Sequence, residues 1–151
     1  MAVEGGLAGR TFDPTPPYEV GRADVARFAA AVGEPDPVHV DVALARERGH
    51  RDVPAPPTYP IVVAFDALQR LLADSSVGIE LRNVVHAEQR FEYSRPVYAG
   101  DVLTATLTVE SVRAAAGTDL IVNRIEITDA DGAHVCTARA TLAHRAPEAA
   151  A

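Results

Sequence analysis

One long apolar segment, residues 58–74 (TYPIVVAFDALQRLLAD), most constrains how this chain can fold. Its apolar side chains cover most of the circumference of a helix, which predicts a helix buried on several sides. Thr58 is the predicted N-cap, and Pro60 falls in the first turn, where its missing N–H costs nothing. At about 1.5 Å per residue the helix is too short to span a bilayer comfortably. We expect Phe65 and Leu68 to face a sheet.

Composition narrows the class of protein. A chain of 151 residues is long enough for one domain with a core, but not comfortably for two. The formal charge of −7 argues against a general nucleic-acid binder. The single cysteine excludes an intrachain disulfide, and the N-terminus MAVEGGLAGR lacks the features of a signal peptide, so a cytoplasmic location is predicted.

The segments around this helix predict an α+β fold. An amphipathic helix is predicted over 22–32, ending at Gly33, and a second, short helix over 42–48. Alternating apolar and polar residues predict a sheet in which the last three strands form an antiparallel meander. The strands are predicted over 18–20, 84–95, 101–112, 120–128 and 134–142. Residues 1–10 and 146–151 are predicted to be disordered.

Histidine and acidic residues concentrate in the proline-rich loop of residues 34–57, just before the central helix. His39 follows Glu34 by five residues and Asp36 by three, which suggests an acid/base pair held on a stiff loop. Each residue also has a structural explanation. Asp41 is a natural helix N-cap, Asp36 before a proline is common in turns, and His39 alone is an ordinary core or surface histidine.

Three further groups are candidates for binding. The N–H groups of Thr58 and Tyr59 at the helix start could polarise a carbonyl oxygen, although Thr58 could simply cap the helix. His86 and Glu88 are predicted on one face of a strand, for a ligand, a partner strand or solvent. The basic candidates either contact an anionic ligand, such as a phosphopantetheine arm or an acidic carrier protein, or complement a helix dipole. They are Arg46, Arg48 and Arg51.

Residues 33–41 (GEPDPVHVD) resemble the hydratase motif G-D-x-N-P-x-H-x-D of the MaoC-like (R)-specific enoyl hydratases and dehydratases. The closer resemblance is to the FAS1-like dehydratase domains, which include the HadA-type subunit of (3R)-hydroxyacyl-ACP dehydratase. The segments that carry it are PPYEVGR, APPTYP, VVHAEQRFEYSRPVYAGD and CTARATLAHR. Together they extend over nearly the whole chain.

The resemblance implies a single hot-dog domain over 1–151, in which an antiparallel sheet wraps one central helix. In active relatives the motif Asp and His hold a water and perform the acid/base chemistry. Glu34 and His39 occupy those positions here, and Asp36 occupies that of the motif Asn. In those relatives a glycine N–H polarises the thioester. If Pro57 stands at the position of that glycine, this donor is absent here, because proline has no N–H.

The implied reaction is reversible syn elimination of water from a (3R)-3-hydroxyacyl thioester of CoA or ACP. It requires no metal or redox cofactor, and the resemblance implies a homodimer or a heterodimer with another hot-dog chain. Two hypotheses remain open. The chain is either a substrate-binding subunit beside a catalytic partner, or a self-sufficient enzyme that uses Glu34 and His39. A thioesterase of this fold would need a catalytic carboxylate on the central helix, where Asp66 is the only candidate.

Overall fold

A computed structural model describes residues 6–145. Within these residues there are three α-helices and five strands, with one short 3₁₀ helix before α2 and another before β2. The α-helices are α1 (Arg22–Val32), α2 (Val42–Glu47) and α3 (Ile61–Ala73). The strands are β1 (Tyr18–Glu19), β2 (Val84–Tyr93), β3 (Val102–Ala115), β4 (Thr118–Thr128) and β5 (His134–Arg145).

The strands form one antiparallel sheet in the order β1-β3-β4-β5-β2, and α3 packs against β3 and β4. The predicted meander of the last three strands and the α+β class are confirmed. The β3–β4 hairpin is tighter than the sequence suggested, because Ala116 and Gly117 both adopt positive φ and form a two-residue turn. Strand β3 therefore ends at Ala115, directly before this turn, and β4 begins at Thr118, directly after it.

Helix α3 supplies one side of the core. Leu68 is 1% exposed and belongs to the buried face of the helix, as predicted. Phe65, however, is 44% exposed, so the prediction that it faces the sheet is wrong. The helix is apolar around most of its circumference, but the described residues bury only one arc of it. Phe65 therefore lies on a second apolar face, beside Gln69 and Leu72.

The start of α3 also differs from the prediction. The helix begins at Ile61 with Pro60 at the cap position, and no side chain caps it. Residues before it form turns, in which Tyr59 N–H donates to Pro56 O at 2.9 Å and Ile61 N–H donates to Thr58 O at 3.1 Å. Thr58 O closes one of these turns and no side chain caps the helix, so Thr58 is not the N-cap.

The N-terminal residues are more ordered than predicted. Leu7 is 1% exposed, and the segment that follows lies along the outer edge of β3. Gly9 N–H donates to Val109 O at 2.8 Å, and Phe12 N–H donates to Leu107 O at 2.9 Å. The prediction of disorder is therefore wrong for residues 6–10, because this segment pairs with an otherwise open strand. Residues 1–5 and 146–151 lie outside the described part of the chain.

Strand β2 forms the opposite edge of the sheet, and within residues 6–145 it pairs only with β5. A bulge at Ala87 interrupts its register between His86 and Glu88. His86 is opposite Leu142 and Glu88 is opposite Thr141, so the two side chains lie on opposite faces of the sheet. The prediction that they share a face is wrong, because a bulge reverses the alternation.

Candidate functional site

His39 ends a short 3₁₀ helix, Pro37–His39, inside the proline-rich loop. Its side chain is buried, with the residue 8% exposed, and its Nδ1 lies 2.7 Å from Pro54 O. A carbonyl oxygen can only accept, so this contact places the ring proton on Nδ1. The lone pair is then on Nε2, which is the form of the ring that can accept a proton.

The two predicted carboxylate partners point elsewhere. Asp36 caps the 3₁₀ helix by accepting from Val38 N–H at 3.0 Å, and both of its oxygens accept from Arg48 Nη1, at 2.7 and 2.9 Å. The Val38 N–H, supported by the Arg48 guanidinium, lowers the pKa of Asp36. Glu34 Oε1 accepts from the backbone N–H of Asp36 at 3.0 Å. The His39 backbone N–H donates to Asp36 O at 3.3 Å, but within the described residues no hydrogen bond joins the His39 ring to the side chain of either acid.

Asp41 has the structural role that the sequence analysis favoured as its alternative. It is the N-cap of α2, and its Oδ1 accepts from Leu44 N–H at 3.1 Å. Its backbone carbonyl also accepts from Ala45 N–H at 2.9 Å. The motif residues Asp36 and Asp41 therefore cap two successive short helices, which fixes the path of the chain on either side of His39.

The carbonyl that holds His39 belongs to a paired segment. Ala55 N–H donates to Val97 O at 2.7 Å, and Ala99 N–H donates to Val53 O at 3.1 Å. Pro54 therefore lies in a short antiparallel bridge to the turn between β2 and β3. Because this bridge fixes the Pro54 carbonyl, it also fixes the orientation of the imidazole.

A buried carboxylate reinforces this bridge. The Asp101 side chain is 5% exposed and accepts from Arg95 Nη1 at 2.8 Å, from Tyr98 N–H at 2.9 Å and from the Arg51 guanidinium. Arg95 also contacts Asp129 at 3.2 Å. Arg51 arrives from the proline-rich loop and lies 4.9 Å from the centre of the Tyr98 ring. Asp101 thus connects the loop of His39 to the sheet.

The three predicted anion-binding arginines are not equivalent. Arg48 pairs with Asp36 and Arg51 with Asp101, so both have structural roles in the described residues. Arg46 is exposed on α2, near enough to contribute to lowering the pKa of Asp52. That pKa is about 2, mainly because Asp52 accepts hydrogen bonds from Arg22 at 2.7 and 2.9 Å. The structure therefore leaves Arg46 as the predicted arginine available to a ligand.

The predicted carbonyl-polarising groups are also reduced to one. The Tyr59 N–H already donates a hydrogen bond to Pro56 O. The Tyr59 ring is buried against Phe28, with the ring centres 5.2 Å apart. The Tyr59 hydroxyl lies 3.0 Å from that of Tyr18, and burial raises its pKa well above the ordinary value. Thr58 N–H has no backbone acceptor among residues 6–145. Thr58 is therefore the candidate donor that remains.

A cavity of about 380 Å³, which was not predicted from the sequence, lies beside this region. Tyr93 closes one side of it by donating a hydrogen bond from its hydroxyl to Pro57 O at 2.5 Å. Burial raises the pKa of Tyr93 above its ordinary value. The cavity is lined by Ala55, Pro57, Tyr93, Ser94, Arg95, Pro96 and Val97. Five of these residues lie within 84–101 and the other two within 55–60, both segments that carry the family resemblance, which was the available signal.

Neither a metal centre nor a membrane span emerges from the described region. Among residues 6–145 there is no group of three or more His, Cys, Asp or Glu side chains that could hold a metal ion. The helices of the same region are too short or too polar to cross a membrane.

Comparisons with known proteins agree with this architecture. Residues 7–138 match the family model described as FAS1-like, dehydratase domain region. A UPF0336 protein of Leifsonia xyli is 48% identical over 148 residues, which are 98% of this chain and 99% of that protein. Both the family model and this relative therefore match most of the chain.

Two solved structures extend the comparison to the fold. One is a chain of the HadBC (3R-hydroxyacyl-ACP dehydratase) complex from Mycobacterium tuberculosis, with 31% identity, a TM-score of 0.82 and coverage of 91% of this chain and 96% of that one. The other is a MaoC-like dehydratase, with 32% identity and a TM-score of 0.87 over 95% of this chain and 43% of that one. The chain therefore belongs to the FAS1-like dehydratase family and has its hot-dog fold.

Proposed function

We propose that this chain is the substrate-binding subunit of a (3R)-hydroxyacyl-thioester dehydratase or enoyl hydratase, and that a second hot-dog chain supplies the catalytic pair. The observation that carries the proposal is that, within residues 6–145, no hydrogen bond joins the His39 ring to the side chain of either motif acid. The His39 ring is hydrogen-bonded to Pro54 O, whereas the Asp36 carboxylate accepts hydrogen bonds from Val38 N–H and Arg48. A dehydratase needs one group to remove the C2 proton and another to protonate the departing hydroxyl.

The loss of carbonyl-polarising donors supports the same proposal. Enolate-like charge develops on the thioester oxygen during elimination, and donors placed around that oxygen usually contribute much of the rate. In this chain Pro57 has no N–H, and that of Tyr59 is bonded to Pro56 O. Thr58 N–H alone is a weak substitute. A partner chain with an intact motif would supply the missing groups.

The first test is an assay on crotonyl-CoA. Alone, the purified chain should hydrate crotonyl-CoA at close to the background rate. Mixed with a hot-dog chain encoded beside it, it should form a complex that hydrates the substrate. In that complex His39→Ala should alter turnover by no more than a few-fold, whereas removal of the partner's motif histidine should abolish it.

The alternative function is a self-sufficient (R)-specific hydratase, and one observation favours it. The Pro54 contact leaves the His39 Nε2 lone pair free of the proton, as a general base requires. In that case the chain alone would hydrate crotonyl-CoA rapidly, and His39→Ala would reduce turnover by about a hundredfold or more. Rapid hydration by the isolated chain with this loss would refute the subunit proposal.

We expect assembly to occur through β2. The N-terminal segment covers the β3 edge, but β2 has no further strand within residues 6–145 and carries Val85 at 64% exposure. Open strand edges with apolar side chains favour pairing with another chain. Val85→Lys should therefore weaken the dimer at least about tenfold in sedimentation equilibrium, which corresponds to about 1.4 kcal/mol.

The matched control is Val32→Lys on α1, where the native valine is 52% exposed and distant in sequence from the edge. It should leave the association constant unchanged. A wild-type chain that sediments as a monomer at micromolar concentration, both alone and with the partner, would contradict the expected assembly.

A further inference from the structure

A serine, a histidine and a glutamate that the proposed dehydratase chemistry does not use form one connected group. Ser94 Oγ lies 2.5 Å from His134 Nδ1. On the other side of the ring, His134 Nε2 lies 2.8 Å from Thr137 Oγ1 and 3.3 Å from Glu126 Oε2. A nucleophile beside a base that a third group orients is the arrangement of covalent acyl-transfer sites.

The hydrogen bonds assign the protons in this group. The Thr137 hydroxyl donates to Glu126 Oε2 at 3.1 Å, so its oxygen accepts from His134 Nε2–H. The other ring nitrogen then carries a lone pair and accepts from the Ser94 hydroxyl. Glu126 is held in turn by Arg124 Nη1 at 2.6 Å. His134 is therefore in the tautomer that can remove the serine proton.

The backbone holds these side chains on rigid elements. Ser94 directly follows β2, and its N–H donates to Val135 O of β5 at 2.9 Å. His134 begins β5, and Glu126 lies on the neighbouring β4 opposite Thr137. Sites supported by paired strands keep their geometry better than sites on loops. The short serine–histidine distance is thus imposed by the sheet.

Ser94 also borders a space that can admit a substrate. It lines the cavity of about 380 Å³, a volume within the range of small-molecule sites. The walls are mostly apolar, which suits a short acyl chain. Arg95 is the charged residue among those lining the cavity, and Asp101 and Asp129 hold its guanidinium. A cation beside the cavity favours the negative charge that develops on an attacked carbonyl oxygen.

We propose that Ser94 and His134 form a second, hydrolytic site for short-chain acyl esters and thioesters. Ser94 Oγ attacks the carbonyl carbon while His134 Nδ1 takes the hydroxyl proton. The C–O or C–S bond then breaks, and His134 returns that proton to the leaving alcohol or thiol. Water attacks the acyl-serine, gives a proton to His134 and releases the carboxylic acid, and the proton returns to Ser94 Oγ. The overall reaction consumes one water and needs no further reactant.

The test combines covalent labelling with hydrolysis, using the full chain. A fluorophosphonate probe should add to one serine, which peptide mass spectrometry should identify as Ser94. Hydrolysis of p-nitrophenyl acetate and of acetyl-CoA should fall to background in Ser94→Ala. In His134→Gln it should fall by about a hundredfold or more, as expected for loss of a general base. Circular dichroism should show that both variants remain folded.

Ser111→Ala is the matched control, because Ser111 is a partly exposed strand serine at the β3 bulge. It should retain both labelling and hydrolysis. The proposal would be overturned if the probe reacted with the wild-type chain no faster at Ser94 than at Ser111. It would equally be overturned if Ser94→Ala hydrolysed both substrates at the wild-type rate.

Discussion

Leu68→Ala should lower the free energy of unfolding by about 2–5 kcal/mol, because the change removes buried methyl groups and leaves a cavity. Leu68 is 1% exposed and lies in the centre of the α3 face that packs against the sheet. Neighbouring helix and strand backbones are fixed by hydrogen bonds, so the site cannot collapse fully around the smaller side chain. Urea denaturation, with the midpoint and slope measured together, gives the value directly.

Phe65→Ala is the control for this measurement. It removes a larger side chain from the same helix, but Phe65 is 44% exposed. Its effect on the free energy of unfolding of the isolated chain should therefore be well below that of Leu68→Ala. Equal losses for the two variants, or a midpoint shift near zero for Leu68→Ala, would show that α3 does not pack as described.

Asp101→Ala is the second change for which we expect a large effect, on the order of 3 kcal/mol of unfolding free energy. The carboxylate is nearly buried and accepts from two guanidinium groups and one backbone N–H. Removing one partner of a buried ion pair typically costs about 3–5 kcal/mol, because the remaining charges lose their compensation. The lower end is expected here, since the Arg51 side chain is 58% exposed and can be solvated.

The same variant should loosen the proline-rich loop. Asp101 holds Arg51, which precedes Pro54 by three residues, and accepts from the N–H of Tyr98, which is opposite Pro54 in the bridge. Hydrogen–deuterium exchange at Ala55 and Ala99, whose N–H groups form that bridge, should accelerate in Asp101→Ala. Asp131→Ala, an exposed position in the β4–β5 turn, should change neither exchange nor stability. Unchanged exchange at both bridge positions in Asp101→Ala would contradict the proposed role of this carboxylate.

The local predictions that agree with the structure rest on short-range chemistry. Asp41 caps α2 because its side chain reaches an N–H three residues later, a contact that the nearby sequence determines. Gly33 ends α1 in a left-handed conformation for the same kind of reason. The alternating residues of β3 similarly predict which side chains face the core, since the period of a strand is two.

The predictions that were wrong depend on which other parts of the chain each segment contacts in three dimensions. Alternation predicted His86 and Glu88 on one face of the strand, but the bulge at Ala87 places them on opposite faces, and no residue type in the segment indicates a bulge. Phe65 looked like a core residue because the helix is apolar all round. Its exposure is decided by how far the sheet extends around the helix.

The candidate site shows the same division. The order of residues alone reveals an acidic, proline-rich loop with two histidines before an apolar helix, and the resemblance identified the family. Three contacts follow from the folded chain and not from the order of residues: His39 with Pro54 O, Arg48 with Asp36, and Ser94 with His134. The last two residues are 40 positions apart in the chain. Their contact exists because β2 and β5 are neighbours in the sheet, and strand order follows from how all the strands share one core.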